Sequence, residues 1–284
     1  MSRREVSSSL TEQVERLTAE SKARATAVSV HDLESGLRFS LRGDRWFHAA
    51  STIKVAVLLA LFRAVDEGRV RLDDSLHVRN RFFSAANGSP FELNRDSDAM
   101  PELYQAIGQT AKISALAEGM ISASSNLATN LLLDFVGVGY ARNVLRDAQV
   151  EGVELRRGVE DHAAHEKGIN NEATADGLMT LLSALRGNFL SSESKEQAIR
   201  ILLEQRFNSM IPAGVPPHAA VAHKTGEIST ACHDMGIVYL PEREPYIAVI
   251  LTEFDSEKEG RRETVAAISE AIYHSVMRMQ GEIK

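Results

Sequence analysis

The chain has 284 residues, a net charge of -7 and one cysteine, Cys232, so no disulfide can form within it. Hydrophobic residues make up 44% and charged residues 25%, the composition of a globular protein that can bury a large core. The acidic balance and the lack of a basic stripe argue against a nucleic-acid partner, and the longest apolar run, 55–62, is too short for membrane insertion.

The first residues carry no recognisable export signal. Residues 1–4 are followed by Glu5 and a polar stretch, without the apolar segment and small-residue cleavage site of a signal peptide. The sequence as written therefore predicts a cytoplasmic protein. A periplasmic or secreted location is expected instead if an export signal has been removed.

The next patterns predict a helix, a hairpin and a long helical stretch, in that order. An amphipathic pattern predicts a helix over about 9–22, and residues 27–31 and 37–41 have the alternation of hairpin strands. A long apolar helix then opens at Ala49 and ends before Gly68. Residues 84–101 are the longest loop-like stretch.

The rest of the chain is first helical and then extended. Apolar residues at spacings of three and four predict helices at 101–118, 124–136, 139–148, 174–187 and 193–206. After residue 216 the period changes, which predicts strands at 219–224, 236–240 and 246–252 and a last helix at 262–279.

Strands therefore lie at both ends of the chain and must share one sheet, because isolated strand edges are unstable. The expected fold class is α+β, with a five-stranded antiparallel sheet flanked by the terminal helices and a large inserted all-helical region. Residues 1–284 then form a single domain. Its α/β region covers about 1–45 plus 211–284, and its helical region covers about 46–210.

Three short motifs occur in the order S-x-x-K, S-x-N and K-T-G. Ser51 and Lys54 form the first, Ser124 and Asn126 form the second, and residues 224–226 form the third. Each motif alone recurs by chance in many proteins. All three in this order and at these spacings are hard to obtain by accident.

Together the motifs resemble the active site of the penicillin-recognising serine hydrolases, and most closely that of class A β-lactamases. The resemblance implies a β-lactamase-like catalytic domain that opens β-lactam rings through a covalent acyl-enzyme on Ser51. It implies a small-molecule β-lactam or related acyl substrate, and neither a cofactor nor a metal ion. The alternatives are a D-alanyl carboxypeptidase, an esterase, an amidase, or a non-hydrolytic sensor that stays acylated.

Ser51 and Lys54 suit nucleophilic catalysis. Their side chains share one helix face, at a helix start where free backbone N–H groups favour a developing negative charge. A serine hydroxyl needs an adjacent base, and a desolvated lysine can serve because its pKa is lowered. The resemblance implies that Ser51 attacks the lactam carbonyl and that Lys54 takes its proton, directly or through a carboxylate-bound water.

The resemblance also assigns roles to the second motif. Ser124 is expected to protonate the departing nitrogen, and Asn126 is expected to bind the acyl amide of the substrate. The family has an aspartate between these two residues, whereas this chain has Ser125.

The K-T-G motif ends an apolar strand and is expected to bind the substrate. Lys224 and Thr225 offer a cation and a hydroxyl to a substrate carboxylate, and Gly226 lets a substrate backbone approach closely. The backbone N–H groups of Ser51 and Glu227 would form the oxyanion hole. Glu227 departs from the small residue usual in the family, and its carboxylate is expected near the mouth of a site for anions.

The base for releasing the acyl group has three candidates. Class A enzymes use a glutamate that activates water and is followed four residues later by an asparagine. The spacing from Asn126 favours Glu160, whereas the run from Glu166 to Asn170 matches the local pattern, and Asp161 is also available. Glu160 is the predicted base.

Nearby histidines predict structural roles. His162 and His165 lack the order of known zinc motifs, so no metal site is predicted. The adjacent residues His233 and Asp234 predict a charge-paired histidine at a strand start, or a group close to the carboxylate pocket.

Overall fold

The structure, a computed structural model, describes residues 3–256 and 259–280. Its α-helices are α1 (Arg3–Glu20), α2 (Lys54–Asp66), α3 (Ile113–Ser122), α4 (Asn126–Val136), α5 (Val138–Asp147), α6 (His162–Glu166), α7 (Ala175–Arg186), α8 (Ser192–Leu203) and α9 (Arg261–Gln280). Its strands are β1 (Ala25–Asp32), β2 (Arg38–Leu41), β3 (Phe47–His48), β4 (Ser75–His77), β5 (Phe82–Phe83), β6 (Pro90–Phe91), β7 (Thr110–Lys112), β8 (Val153–Glu154), β9 (Glu172–Ala173), β10 (Ala220–Ile228), β11 (Ala231–Tyr239) and β12 (Tyr246–Glu253). Within these described ranges, no helix has both the length and the apolarity needed to cross a membrane.

Strands from both ends of the chain form one five-stranded antiparallel sheet, in the order β10-β11-β12-β1-β2. β1 pairs with β12 along its whole length, from Ala25 opposite Glu253 to Asp32 opposite Tyr246. The predicted sheet is therefore confirmed. β10, which contains the K-T-G motif, lies at one edge of it.

Both faces of the sheet are covered, which explains why its strands are apolar almost throughout. Val28 of β1 packs in a core with the terminal helices, through residues such as Val14 of α1 and Ile268 of α9. Ala27 faces the opposite side, because successive strand residues alternate, and belongs to the core that includes Leu178 of α7. The α+β arrangement of a sheet between terminal helices and a helical region is thus observed.

Helix α2 lies at the centre of the helical region. Its sequence is apolar around the whole circumference, and ten of its thirteen residues are buried, so that it needs neighbours on every side. Helices α3, α4, α5, α7 and α8 supply them. A 3-10 turn over Ala50–Ile53 leads directly into α2. The S-x-x-K motif therefore spans this turn and the first residue of the most buried helix described.

The helical region differs from the prediction at 101–118. A continuous helix there is wrong, because Pro101–Ala106 forms a 3-10 turn and Thr110–Lys112 forms β7 before α3 begins. Gly108 between them has φ +88°, a left-handed conformation that interrupts a helix. The region also contains short strands, which pair as β3-β9-β8, β4-β7 and β5-β6.

Cutting the chain after residue 210 is expected to abolish folding, because β10, β11 and β12 would be lost from the sheet. β1 and β2 would remain as a two-stranded sheet, which is marginal on its own and exposes an unpaired edge. Circular dichroism melting of the 1–210 fragment beside the full chain checks this. A soluble fragment with a cooperative melt would contradict it.

Candidate active site

Ser51 lies at the wall of a cavity of about 490 Å³ between the helical region and β10. Asn126, Glu160, Asp161 and Glu227 line the same cavity, so the structure brings together residues of the first two motifs, the residue that follows K-T-G, and two of the three candidate bases. Ser51 is half-buried, which leaves its hydroxyl accessible from the cavity.

Local hydrogen bonds fix the turn that carries Ser51. Ala50 has φ +47°, a conformation that costs energy for a residue with a side chain, and its N–H donates to Nδ1 of His48 at 3.0 Å. The N–H of Ala49 donates to the carbonyl of Asn171 at 2.9 Å, and the Thr52 hydroxyl donates to the Ala49 carbonyl. Surrounding contacts therefore hold Ser51 in a defined place.

Gly226 allows β10 to lie directly against this turn. A Cβ added at Gly226 would be 3.1 Å from the backbone nitrogens of both Ser51 and Thr52, which is tighter than most real contacts. The glycine of K-T-G therefore permits a close approach between two backbones of the protein itself. The next residue, Glu227, lines the same cavity as Ser51.

Lys54 is fully buried and holds the second motif in place. Its Nζ donates to the Ser124 carbonyl at 2.7 Å, to Ser124 Oγ at 3.1 Å and to Asn126 Oδ1 at 2.7 Å. Burial lowers the pKa of Lys54 to about 7, although the carboxylates of Asp98 and Glu160 oppose this shift. Near neutral pH the amine can therefore both give and accept a proton.

Ser124 connects the two lysines of the motifs. Its φ of +59° places it in the left-handed region, and its Oγ accepts hydrogen bonds from Lys54 and, at 3.0 Å, from Lys224. Lys224 is also fully buried and donates to the Thr225 carbonyl at 2.8 Å. Burial, together with the neighbouring Lys54, holds the pKa of Lys224 well below its usual value.

Glu160 is the candidate base that contacts the motif residues. Its Oε1 accepts a hydrogen bond from Asn126 Nδ2 at 2.6 Å, and its φ of +58° marks a constrained backbone. Asn126 therefore bridges Lys54 and Glu160, with its carbonyl oxygen toward the lysine and its amide nitrogen toward the carboxylate.

Asp161 also lines the cavity but its carboxylate is engaged in structural bonds, whereas Glu166 lies outside the cavity. The Asp161 carboxylate is buried and caps α6, where it accepts hydrogen bonds from the Ala164 N–H at 3.0 Å, the Ser84 hydroxyl at 2.7 Å and the Ala85 N–H at 2.8 Å. Glu166 is exposed at the end of α6 and is not among the cavity-lining residues. Of the three candidates, Glu160 has the placement that suits work on a bound acyl group.

Asn170 and Asn171 hold together the two ends of the loop that carries Glu160. Asn171 Oδ1 accepts from the N–H groups of Arg156 and Arg157, and its Nδ2 donates to the Arg157 carbonyl at 2.9 Å. Asn170 Oδ1 accepts from the Arg157 guanidinium at 3.2 Å. The asparagine that matched the local pattern from Glu166 therefore has a structural partner.

The Glu227 carboxylate is paired with a cation. Arg262 of α9 donates to both of its oxygens through Nε, at 3.0 Å each, and Arg262 Nη2 lies 2.9 Å from Oε2. Arg261 Nη2 adds a contact at 4.0 Å. The negative charge expected at the mouth of the site is therefore balanced by arginines that the motif analysis did not identify.

The expected pairing of His233 with Asp234 is wrong, because neighbouring strand residues point to opposite faces. Asp234 instead pairs with His223 Nδ1 at 3.0 Å, and both side chains are buried. His233 Nε2 donates to the His48 carbonyl, its Nδ1 accepts from the Thr252 N–H, and burial lowers its pKa to about 4. His233 is thus a neutral structural group behind the Ser51 turn.

Possible metal ligands are not clustered in the described ranges, where no three or more His, Cys, Asp or Glu side chains are grouped so that they could hold a metal ion.

The motif analysis missed one buried carboxylate, Asp98. It lies in the stretch predicted as a loop and accepts a hydrogen bond from the Leu127 N–H at the start of α4, at 2.8 Å. No motif in the sequence marks it.

The chain is similar to known proteins over most of its length. The profile of the Beta-lactamase enzyme family matches residues 9–276. The β-lactamase ROB-1 of Haemophilus influenzae is 27% identical over 256 residues, covering 88% of this chain and 79% of the relative. A β-lactamase of Rhodobacter capsulatus is 24% identical over 273 residues, covering 93% and 87%.

Solved structures show the same likeness. PBP-A superimposes with a TM-score of 0.81 at 27% identity, covering 95% of this chain and 96% of that one, and a variant of PBP-A is described as an acyl-enzyme complex with penicillin G. An ancestral class A β-lactamase superimposes with a TM-score of 0.80 at 26% identity, covering 94% and 99%.

Proposed function

Because this chain belongs to the Beta-lactamase enzyme family, we propose that it is a serine hydrolase that opens β-lactam rings through an acyl-enzyme on Ser51. The observation that carries the proposal is the contact set of Lys54. A fully buried ammonium one helical turn from Ser51 bonds both polar residues of the S-x-N motif. Burial of a lysine costs free energy, and buried groups with a shifted pKa are typical of functional sites.

Acylation begins with attack of Ser51 Oγ on the lactam carbonyl. Lys54 accepts the hydroxyl proton, directly or through a water held by Glu160, because its lowered pKa makes the neutral amine available near pH 7. In this proposal the backbone N–H groups of Ser51 and Glu227 stabilise the developing oxyanion. The close packing of Gly226, the residue before Glu227, against the backbone nitrogen of Ser51 supports this assignment.

Ring opening requires a proton on the departing nitrogen. Ser124 Oγ can deliver it, because it is hydrogen-bonded to the Nζ atoms of both Lys54 and Lys224 and can recover a proton from either lysine. The proton taken from Ser51 thus reaches the lactam nitrogen as the carbon–nitrogen bond breaks. In this proposal Lys224 and Thr225 bind the substrate carboxylate, and Asn126, which lines the cavity, binds the acyl amide.

Hydrolysis of the acyl-enzyme needs an activated water. Glu160 is the base in this proposal, since its carboxylate lines the cavity with Ser51 and is held by Asn126. Water loses a proton to Glu160 and attacks the ester carbonyl, and Ser51 leaves with a proton returned through the same network.

A second function, that of a penicillin-binding protein that stays acylated, is favoured by one observation. The residue four positions after Glu160 is Ala164, where class A enzymes have an asparagine, and it is buried in α6. An alanine cannot help to hold a water for deacylation. The likeness to PBP-A is consistent with this alternative.

Turnover of a chromogenic cephalosporin tests the proposal and separates the alternatives. Continuous colour development, with little adduct by intact-mass spectrometry, is the result expected of a β-lactamase. A single burst with a lasting adduct would assign the acylated state of a penicillin-binding protein or sensor. The absence of both colour and adduct would overturn the proposal. Assays would then turn to D-alanyl peptides, esters and amides.

The acylation rate is expected to rise with pH and to level off above a midpoint near 7. The base is the neutral amine of Lys54, and burial lowers its pKa to about 7, so acidification protonates it and removes its activity. Pseudo-first-order formation of the penicilloyl adduct, measured from pH 5 to 9, checks this. Lys54→Arg, which stays protonated, should show no such rise. A midpoint that persists in Lys54→Arg would contradict the assignment.

A further inference from the structure

The start of α4 is held by two separate groups. Ser125 stands where the family motif has aspartate, and its Oγ caps the helix by accepting the Ala128 N–H at 3.1 Å. That leaves the N–H of Leu127, one residue earlier, without a local partner. It donates to Asp98 Oδ2 at 2.8 Å instead.

Asp98 reaches this helix start from a distant part of the sequence. It follows the short 3-10 turn Arg95–Ser97 and is only 6% exposed. Besides the Leu127 N–H, its carboxylate accepts from the Ser125 hydroxyl at 3.3 Å, the Tyr104 hydroxyl at 3.3 Å and the Met100 N–H at 2.9 Å. Four donors converge on one buried carboxylate, which is the environment of an ionised group.

The position of this carboxylate matters because of what Lys54 contacts. Lys54 Nζ bonds Ser124 and Asn126, which flank Ser125, and Asp98 holds Ser125 and Leu127. The motif turn therefore lies between a buried cation and a buried anion. A negative charge at a helix start is also favoured by the helix dipole.

We propose that Asp98 is a positioning residue, which supplies from the 84–101 stretch the carboxylate that the family motif carries between its serine and asparagine. It keeps Ser124 and Asn126 within reach of Lys54. The inference rests on the proposed function, because it assigns these residues to acylation. Asp98 acts through the turn and touches neither the substrate nor Ser51.

The charges around Lys54 fix the direction of the expected effects. Asp98 is the strongest charged influence on the pKa of Lys54 and raises it, Glu160 also raises it, and Lys224 is the neighbouring cation. Removing the Asp98 charge should therefore lower the midpoint at which Lys54 loses its proton. It should also loosen the turn, which slows proton transfer even where Lys54 is neutral.

The test uses Asp98→Asn, with Asp96→Asn as its matched control, since Asp96 is an exposed carboxylate two residues away. A third protein combines Asp98→Ser with Ser125→Asp and so moves the carboxylate to the motif. Two readouts are taken: the ¹³C-lysine NMR titration of Lys54 without substrate, assigned with Lys54→Arg, and the pH profile of acylation by penicillin G. Melting temperatures show that each variant is folded.

We expect Asp98→Asn to lower the Lys54 midpoint by about one pH unit. Its acylation rate on the alkaline plateau should fall about tenfold, because small displacements of catalytic groups are costly. Asp96→Asn should match the wild type in both readouts, and the double variant should recover the midpoint.

Wild-type values in folded Asp98→Asn would overturn the inference, as would a folded double variant whose midpoint stays low. If Asp98→Asn does not fold, the double variant alone decides. A wild-type chain that forms no penicilloyl adduct would contradict the proposed function instead. The NMR titration, which needs no substrate, would still decide the role of Asp98.

Discussion

Replacing Ser51 by alanine is expected to abolish the penicilloyl adduct and to reduce β-lactam turnover by at least about 10³-fold. Ser51 is the nucleophile in the proposed mechanism, and without its hydroxyl the site can only bind the lactam and polarise its carbonyl. Intact-mass spectrometry after exposure to penicillin G measures the adduct, and cephalosporin hydrolysis measures the rate.

The structure supplies a control for this variant. Ser229 lines the same cavity but is exposed beyond the K-T-G motif, so Ser229→Ala should acylate as the wild type does. The fold should survive Ser51→Ala, because the Ser51 turn is held by bonds of its neighbours His48, Ala49 and Thr52. An adduct on folded Ser51→Ala would remove Ser51 from the mechanism.

Replacing Glu160 by glutamine is expected to trap the acyl-enzyme, slowing its hydrolysis by about 10²- to 10⁴-fold. Glutamine keeps the size of the side chain and can still accept a hydrogen bond from Asn126, but it cannot take a proton from water. Acylation should change much less, provided that Lys54 serves as the base in that step. Stopped-flow acylation followed by timed mass spectrometry measures the two rates separately.

Glu166→Gln is the matched control, because Glu166 is an exposed glutamate on the same loop. It should turn over at nearly the wild-type rate. Asp161→Asn should affect mainly the melting temperature, since Asp161 caps α6 and bonds Ser84 and Ala85. A trapped adduct in Glu166→Gln with normal turnover in Glu160→Gln would reverse the assignment. Normal turnover in all three would leave Lys54 or another group as the base.

The sheet could be predicted from the sequence because its signals are local. The apolar strands at both ends of the chain left a shared sheet as the solution that pairs their edges, and the structure has that shared sheet. The motif residues were recognisable for a related reason. Ser51 and Lys54 lie one helical turn apart, and each of the other motifs is a short contiguous run, so spacing along the sequence already describes part of their geometry.

Partners that are distant in sequence could not be predicted in this way. Asp98 meets Leu127, and Arg262 meets Glu227, only after the loops and helices are placed. The helix predicted at 101–118 failed for a different reason. Its apolar spacing was compatible with a helix, but the left-handed backbone at Gly108 and the pairing of β7 with β4 decided otherwise.

The ion pair between Glu227 and Arg262 has an evolutionary consequence. A guanidinium binds carboxylates in a forked geometry, and Glu227, on the same strand as Lys224, occupies the fork of Arg262. Glutamate codons become alanine or glycine codons by one nucleotide change. A single mutation at Glu227 would therefore both restore the small residue usual in the family and leave the Arg262 guanidinium without this carboxylate, so that the charge beside the K-T-G motif can change in one step.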